Sequence, residues 1–340
     1  MMSVLWFSTL EVQRALVLGL AAGLDRLVGD PWGWPHPVQA IGWLIGRITA
    51  GILRLKLSPL AERGLGVLLG AGIILSTGLA GWGLVALAQR LHPAIGLVVE
   101  TILLASCFAG RSLRQAAEEV LVPLEADDIP TARNHLARYV GRDTDQLDRA
   151  EIQRAVLETV SENATDGVLA PLFYGLVGAL LPLGSVPLAL AYKAASTLDS
   201  MVGYREAPYT YLGWFSARLE DGLTWLPCRL TVITIALLSG RPRWVLRLCR
   251  RDAPADPSPN AGWSECAYAA ALGVQLGGPN TYRGLVKVKP LLGDAVQPIT
   301  GDRIAQALAL TRRAALLWLV LGLALLIAQT WLRLYWASAL

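Results

Sequence analysis

Hydrophobic and polar positions fall along this chain in long blocks, not in the strict alternation of half-buried strands. From Leu65 to Ala88 no charged residue occurs, and from Pro93 to Ala109 only Glu100 interrupts an apolar run. A block of about 20 apolar residues is what a helix needs to cross a hydrocarbon core of about 30 Å. Ala314 to Leu332 is a third such block, flanked by Arg312 and Arg313. Val12–Val28 reads as an imperfect first span, and the Glu11 and Arg14 charges argue for a retained segment over a cleaved signal peptide. Val38–Leu57 mixes Arg47, Arg54 and Lys56 with apolar residues, which suits an interfacial amphipathic helix. Val168–Tyr192 is apolar but punctuated by Pro171, Pro182, Gly184 and Pro187. It predicts two half-helices meeting at 181–187, and broken helices at membrane depth line cavities. Thr224–Ser239 is a shorter apolar segment, followed by Arg241, Arg243, Arg247, Arg250 and Arg251.

The polar blocks are residues 111–167 and 241–312. The first predicts two or three helices, with turns at Asp127–Pro130 and at Gly141–Asp143. In the second, Ala253–Gly278 turns from Pro/Gly-rich to small and apolar, and Tyr282–Pro290 reads as a basic strand or loop. The fold class expected is an all-α polytopic integral membrane protein of five to eight membrane segments. It is a helical bundle with broken helices, one membrane domain over 1–340, a cytoplasmic helical insertion at 111–167 and a cytoplasmic loop region at 241–312. Arg at the membrane ends of both polar blocks places them inside. An even number of crossings then separates them. This leaves Lys193–Arg205 either outside or, the reading preferred here, inside the bundle along a cavity open to the cytoplasm.

Composition agrees. The 340 residues are 54% hydrophobic and only 16% charged, against about 25% charged in soluble domains, and mean hydropathy is +0.46. The net charge of +4 is met by juxtamembrane arginine and gives no reason to expect a nucleic-acid partner. Four scattered cysteines without a Cys-x-x-Cys pair argue against a zinc site or a disulfide framework and fit a reducing compartment.

Candidate chemistry centres on Glu158–Gly167, ETVSENATDG. Glu158, Glu162 and Asp166 recur at four-residue spacing and would share one helix face. Asp148 and Glu151 form a capping-box start, and Gly167 reads as a stop. Carboxylates crowding the negative end of a helix call for a cation: Mg²⁺, Lys or Arg. A solvated acidic face is the plainer alternative. Asp30 and His36 each precede a proline in a stiff loop, where His36 is equally a capping residue. Lys193 and Asp199 lie between apolar stretches and need partners there. No Walker A sequence occurs.

Five segments, in order, resemble the adenosylcobinamide-phosphate synthase family of cobalamin biosynthesis (CobD/CbiB). They are LDRLVGDPWGWPHPVQAIGWLI, YVGRDTDQLDRAEIQRAVLETVSENATDGVLAPLFY, AYKAASTLDSMVGYR, SPNAGWSECAYAAALGVQLGG and TYRG, spread over Leu24 to Gly284. The resemblance implies a multi-pass inner-membrane enzyme with its site facing the cytoplasm. Such an enzyme is an ATP- and Mg²⁺-dependent ligase joining adenosylcobyric acid to (R)-1-aminopropan-2-ol or its O-phosphate, with other late corrin-pathway enzymes as candidate partners. Read against that chemistry, Glu158, Glu162 and Asp166 would hold Mg²⁺, with Asn163 adding a carbonyl. Lys193, Arg205 and Arg283 would meet phosphates. Asp30 or His36 would take a proton from the amine, Asp199 would orient Lys193, and Asn260 and Glu265 would contact substrate. A transporter, a Mg²⁺-dependent transferase on a lipid diphosphate, and a structural subunit of a corrin complex are the competing classes.

Overall fold

Proline and small capping side chains set where many of the helices begin. In the computed structural model, which describes residues 2–29 and 36–339, four helices have proline as their first residue, where its missing N–H is no loss. Three of these are capped by a side chain. His36 Nδ1 accepts from the Val38 N–H at 3.3 Å, Ser58 Oγ from the Ala61 N–H at 3.4 Å, and His92 Nδ1 from the Ala94 N–H at 3.1 Å.

The helices are α1 (Met2–Leu27), α2 (Pro37–Arg54), α3 (Pro59–Leu91), α4 (Pro93–Ala105), α5 (Gly110–Glu125), α6 (Ile129–Leu136), α7 (Arg149–Asn163), α8 (Ala170–Leu180), α9 (Ser185–Val202), α10 (Trp214–Leu238), α11 (Pro242–Asp252), α12 (Ala261–Leu272) and α13 (Gly301–Ala339). Strands β1 (Leu276–Tyr282) and β2 (Leu285–Leu292) form an antiparallel hairpin. Among the described residues four stretches are long and apolar enough to cross a membrane: Pro59–Leu91, Pro93–Glu125, Trp214–Leu238 and Gly301–Arg333. The chain is a helical polytopic membrane protein, as its hydropathy predicts. The break expected after Leu180 is present, with α8 and α9 separated by Leu181–Gly184.

The chain divides into two compact units. The first comprises Met1–Ala109, Ala170–Leu223 and Leu316–Leu340; the second comprises Gly110–Leu169 and Thr224–Ala315. Both polar blocks of the sequence thus lie chiefly in one unit. In the first unit α9 packs on α2, α3, α4 and α8. Glycines along α3 allow this closeness, since Gly78 faces the Pro187 carbonyl and Gly81 faces Val186 and Leu190. Ile41, Ile45, Leu69, Ile73, Ala194, Leu198 and Val202 form one core cluster. Helix α2 buries Ile41, Ile45 and Thr49 and turns Trp43 outward with Arg47 over its ring, as expected of an amphipathic helix.

In the second unit α5, α6 and α7 pack together, α11 packs on α12, and the hairpin lies against α7, α11 and α12. All four cysteines of the chain are free and buried.

Gly167 does not stop the helix, contrary to the sequence reading. The chain passes from α7 through a π-helical turn, Ala164–Leu169, directly into α8. The reason is burial. Ala164, Thr165, Gly167, Val168 and Leu169 are all enclosed, so a helix end here would leave carbonyls without water. The wider turn is held from outside: Ser264 Oγ donates to the Ser161 carbonyl at 2.6 Å and shares a hydrogen bond with Thr165 Oγ1 at 2.8 Å.

Candidate functional site

The expected start of α7 is observed in full: Asp148 accepts from the Glu151 N–H at 2.8 Å, and Glu151 returns the bond to the Asp148 N–H at 2.9 Å. One turn before its end, Glu158 is 2% exposed. Its carboxylate is filled by protein donors. Arg142 binds Oε2, Arg154 Nη1 reaches Oε1 at 3.2 Å, and the Gly277 N–H donates to Oε1 at 3.0 Å. Arg154 stands four residues before Glu158, so one helix face aligns them. Its guanidinium also donates to the Gly277 and Pro279 carbonyls at 2.6 and 2.9 Å.

The hairpin is shaped for this approach. A β-bulge falls between Leu276 and Gly278, and both Gly277 and Gly278 have positive φ, 87° and 89°. A side chain at Gly277 would meet the Pro290 carbonyl, so glycine is required for the backbone to reach Glu158. At the other end, Arg283 and Gly284 make a two-residue turn with φ of 51° and 77°. This is the type I′ geometry that matches strand twist. Asp143 accepts from both of their N–H groups, at 3.0 and 2.8 Å, and its own N–H donates to the Thr281 carbonyl at 2.8 Å. Arg142 Nη1 donates to Asn280 Oδ1 at 2.7 Å. The Gly141–Asp143 turn is therefore stitched to the hairpin along its length.

Lys289 of β2 projects into the same cluster and donates to Glu265 Oε1 at 2.9 Å. Glu265, on α12, is fully buried, and its Oε2 has no partner among the described residues. Asn280 Nδ2 is likewise buried and unpaired. Burial pushes the Glu265 carboxyl up to about 8, with Lys289 pulling against this and Glu162 and Glu158 adding to it. Burial also raises Glu162; Lys289 offsets part of the rise, and Asp256 and Glu158 reinforce it. For Lys289 burial works downward, yet the carboxylates of Glu265, Glu162 and Glu158 outweigh it and hold the ammonium above its ordinary range. The cluster sets Glu158, Glu162, Glu265 and Asp256 against Arg142, Arg154 and Lys289 in a largely enclosed space.

The residues singled out from sequence distribute as follows. Glu158, Glu162 and Glu265 share this cluster. Asp166 lies in the π-helical turn, within electrostatic reach of Cys228. Asn163 is exposed, its amide donating to the Thr159 carbonyl of its own helix at 3.0 Å. Asn260 is buried at the start of α12, where Arg229 donates to its Oδ1 at 3.4 Å and to the Pro259 carbonyl at 2.9 Å. Arg283 is exposed in the hairpin turn. His36, Lys193, Asp199 and Arg205 belong to the first unit. Lys193 and Asp199 are six residues apart on α9, about 9 Å along its axis. Asp30 lies outside the described residues. Among the described residues no group of three or more His, Cys, Asp or Glu side chains could hold a metal ion. The counter-charges around Glu158 are the two arginines.

Sequence reasoning missed Arg142, Arg154, Lys289, Asp256 and Asn280 as site residues. One of them had a signal: Arg154 is the i−4 neighbour of Glu158. Lys289 had none, since alternation in Lys-Val-Lys would turn Val288 inward, whereas Val288 is exposed. Arg142, Asp256 and Asn280 come together only in three dimensions.

A family model described as CobD/Cbib protein matches residues 18–311. This chain belongs to the CobD/CbiB family. The cobalamin biosynthesis protein CobD of Synechocystis sp. is 54% identical over 314 residues, 92% of this chain and 92% of that protein. The cobalamin biosynthesis protein CbiB of Salmonella typhimurium is 45% identical over 311 residues, 90% of this chain and 94% of its own. The cobalamin biosynthesis protein CobD of Klebsiella pneumoniae is 45% identical over 307 residues, 89% and 92% respectively. No solved structure matches the chain.

Proposed function

We propose that this protein acts in cobalamin biosynthesis as an inner-membrane ligase, its site facing the cytoplasm. It would join adenosylcobyric acid to (R)-1-aminopropan-2-ol or its O-phosphate at the expense of ATP. The observation that carries the reading is near-full-length similarity to proteins named for cobalamin biosynthesis, together with a buried carboxylate–lysine cluster suited to the chemistry.

In such a reaction a propionate oxygen attacks a phosphorus of ATP, and the P–O bond to the departing ADP or pyrophosphate breaks. The amine nitrogen then attacks the activated carbonyl carbon, the C–O bond to phosphate breaks, and a base removes the ammonium proton. Glu265, with its carboxyl raised to about 8 and Oε2 unpaired, is matched to proton transfer near neutral pH. Lys289, held as an ammonium, supplies positive charge for a phosphate or a developing oxyanion. Arg142 and Arg154 fix Glu158, and through it the hairpin that carries Lys289. Mg²⁺ would enter with the nucleotide and screen its oxygens. Glu162 would be the ladder carboxylate of the cluster left for its waters, since Glu158 is filled by protein donors. Corrinoid and amine are the small-molecule partners in this reading.

The test is incubation of purified protein with adenosylcobyric acid, Mg-ATP, and aminopropanol or its phosphate, with mass spectrometry for the amide. Formation with one amine and not the other identifies the substrate. No amide with either amine overturns the proposal.

A further inference from the structure

Helix α11 carries charge that its own packing does not use. Between Asp221 and Asp252 the chain has six arginines and no acidic residue, and five of the six lie at 241–251. At about 100° per residue, Arg243, Arg247 and Arg250 fall within about 60° of one another around the helix, and Arg251 and Trp244 border them on one side. All five side chains are exposed. The opposite face carries Val245, Leu248 and Cys249, which are buried, and α11 packs on α12. The apolar face anchors the helix and turns the arginines outward.

Arg251 is engaged by Asp252 at 2.6 Å and by Asp294 at 2.7 Å. Among the described residues no carboxylate pairs with Arg241, Arg243, Arg247 or Arg250. Two of these, Arg241 and Arg243, stand at the N-terminal end of the helix, where the macrodipole is already positive. Arg243 and Arg247 are four residues apart, a like-charge spacing that works against a helix. An anion from outside the protein relieves both.

Position in the chain decides which anion. Helix α10 is a candidate span ending at Leu238, and α11 starts at Pro242. Between them Gly240 turns the backbone at a φ of 70°, and Ser239 Oγ accepts from the Arg241 N–H at 3.1 Å. Three residues reach about 10 Å at full stretch, so the stripe begins close to where the span leaves the hydrocarbon. Trp244 has the amphipathic ring that settles at headgroup depth. A free anion could meet the arginines, but it would give Trp244 no apolar surface. A bilayer surface of negative charge satisfies both.

We propose that the exposed face of α11 binds the phosphates of acidic phospholipids through Arg243, Arg247 and Arg250, with Trp244 seated among the headgroups.

The full chain, purified and delipidated, is offered equimolar phosphatidylglycerol and phosphatidylcholine and examined by native mass spectrometry. Phosphatidylglycerol, a net anion, should be retained about tenfold or more over the zwitterionic lipid. The triple variant Arg243→Gln/Arg247→Gln/Arg250→Gln should bring the two lipids to parity. Its unfolding midpoint should hold, because the buried face of α11 is untouched. The variant Arg138→Gln/Arg149→Gln/Arg218→Gln removes the same charge from three scattered, exposed ion pairs and should keep the preference. In the natural protein, raising the salt from about 0.1 to about 1 M shortens the screening length from about 10 to about 3 Å and should erase the preference. Equal retention of the two lipids by the natural protein at low salt overturns the proposal. A preference that survives in the α11 variant, or at high salt, does so too. An equal loss in both variants assigns the effect to net charge alone, and displacement of phosphatidylglycerol by Mg-ATP assigns the stripe to a free polyphosphate; either result also overturns it.

Discussion

Glu158 and Glu162 stand four residues apart on α7, yet they are held in opposite ways, and the difference is measurable. Glu158 is enclosed by Arg142, Arg154 and the Gly277 N–H. Glu158→Gln leaves two buried guanidinium groups facing a neutral amide, and breaking a buried pair in this way costs about 3–5 kcal/mol. We expect a clear fall in thermal stability in detergent solution. Glu162 is surrounded by Glu158 and Asp256 as well as by Lys289, so Glu162→Gln eases repulsion. Stability should hold while amide formation drops a hundredfold, about 3 kcal/mol in transition-state terms. Equal unfolding midpoints for the two variants would contradict this division of roles. The same cluster sets a pH dependence. Between the ordinary carboxylate value of 4.5 and about 8 the folded protein keeps a proton on Glu265 that the unfolded chain has lost. Stability therefore declines as pH rises through that window. Lys289 acts above it, since its contribution is complete below its ordinary value of 10.5 and disappears only at more alkaline pH. Unfolding midpoints from pH 5.5 to 8.5 should slope downward in the natural protein and flatten in Glu265→Gln. At this scale the sequence showed the ladder and its need for a cation, because both follow from spacing along one helix. It did not show which cation, because Arg142 and Lys289 arrive from segments distant in the chain.

At the scale of elements, helices were legible wherever apolar runs and proline or acidic caps coincide: α3, α7 and the broken pair α8–α9 appear where hydropathy and capping place them. The π-helical turn was not legible. Its cause is a pair of hydroxyls, Thr165 and Ser264, meeting across 99 residues of chain, and no local pattern announces that. The bulged hairpin is similar. Glycine at 277 and 278 hints at unusual backbone, but only the closeness of the Pro290 carbonyl explains the need. Gly277→Ala forces a side chain onto that carbonyl at positive φ, and we expect a loss of about 1–3 kcal/mol. Amide formation should fall with it, since the Glu158 contact moves. Arg283→Asn tests the opposite end of the hairpin. Asparagine suits the left-handed backbone there better than arginine does, so thermal stability should rise slightly. If Arg283 meets a substrate phosphate, as its charge and the family resemblance imply, the KM for that substrate rises at the same time. An unchanged KM leaves Arg283 a turn residue.

For the whole molecule, hydropathy read the chain as one membrane domain with two polar insertions, whereas its packing groups both polar blocks in a single unit. Blocks of hydrophobicity report which segments leave water, but they carry no information on which distant polar segments meet. Sidedness is an independent matter, and it rests on arginine. Five arginines follow Ser239 within twelve residues, and from that bias we expect the loop on the cytoplasmic side. All four native cysteines are buried, so single engineered cysteines can be labelled over a quiet background. Asp145→Cys, exposed in the second unit, should react with a membrane-impermeant maleimide in inverted vesicles and not in intact cells. His92→Cys should show the reverse, because Pro93–Glu125 is a single candidate span and its two ends must open on opposite faces. Reaction of Asp145→Cys from outside the cell would place the Glu158–Lys289 cluster on the same side. ATP is absent there, and the ligase reading would fail with the topology.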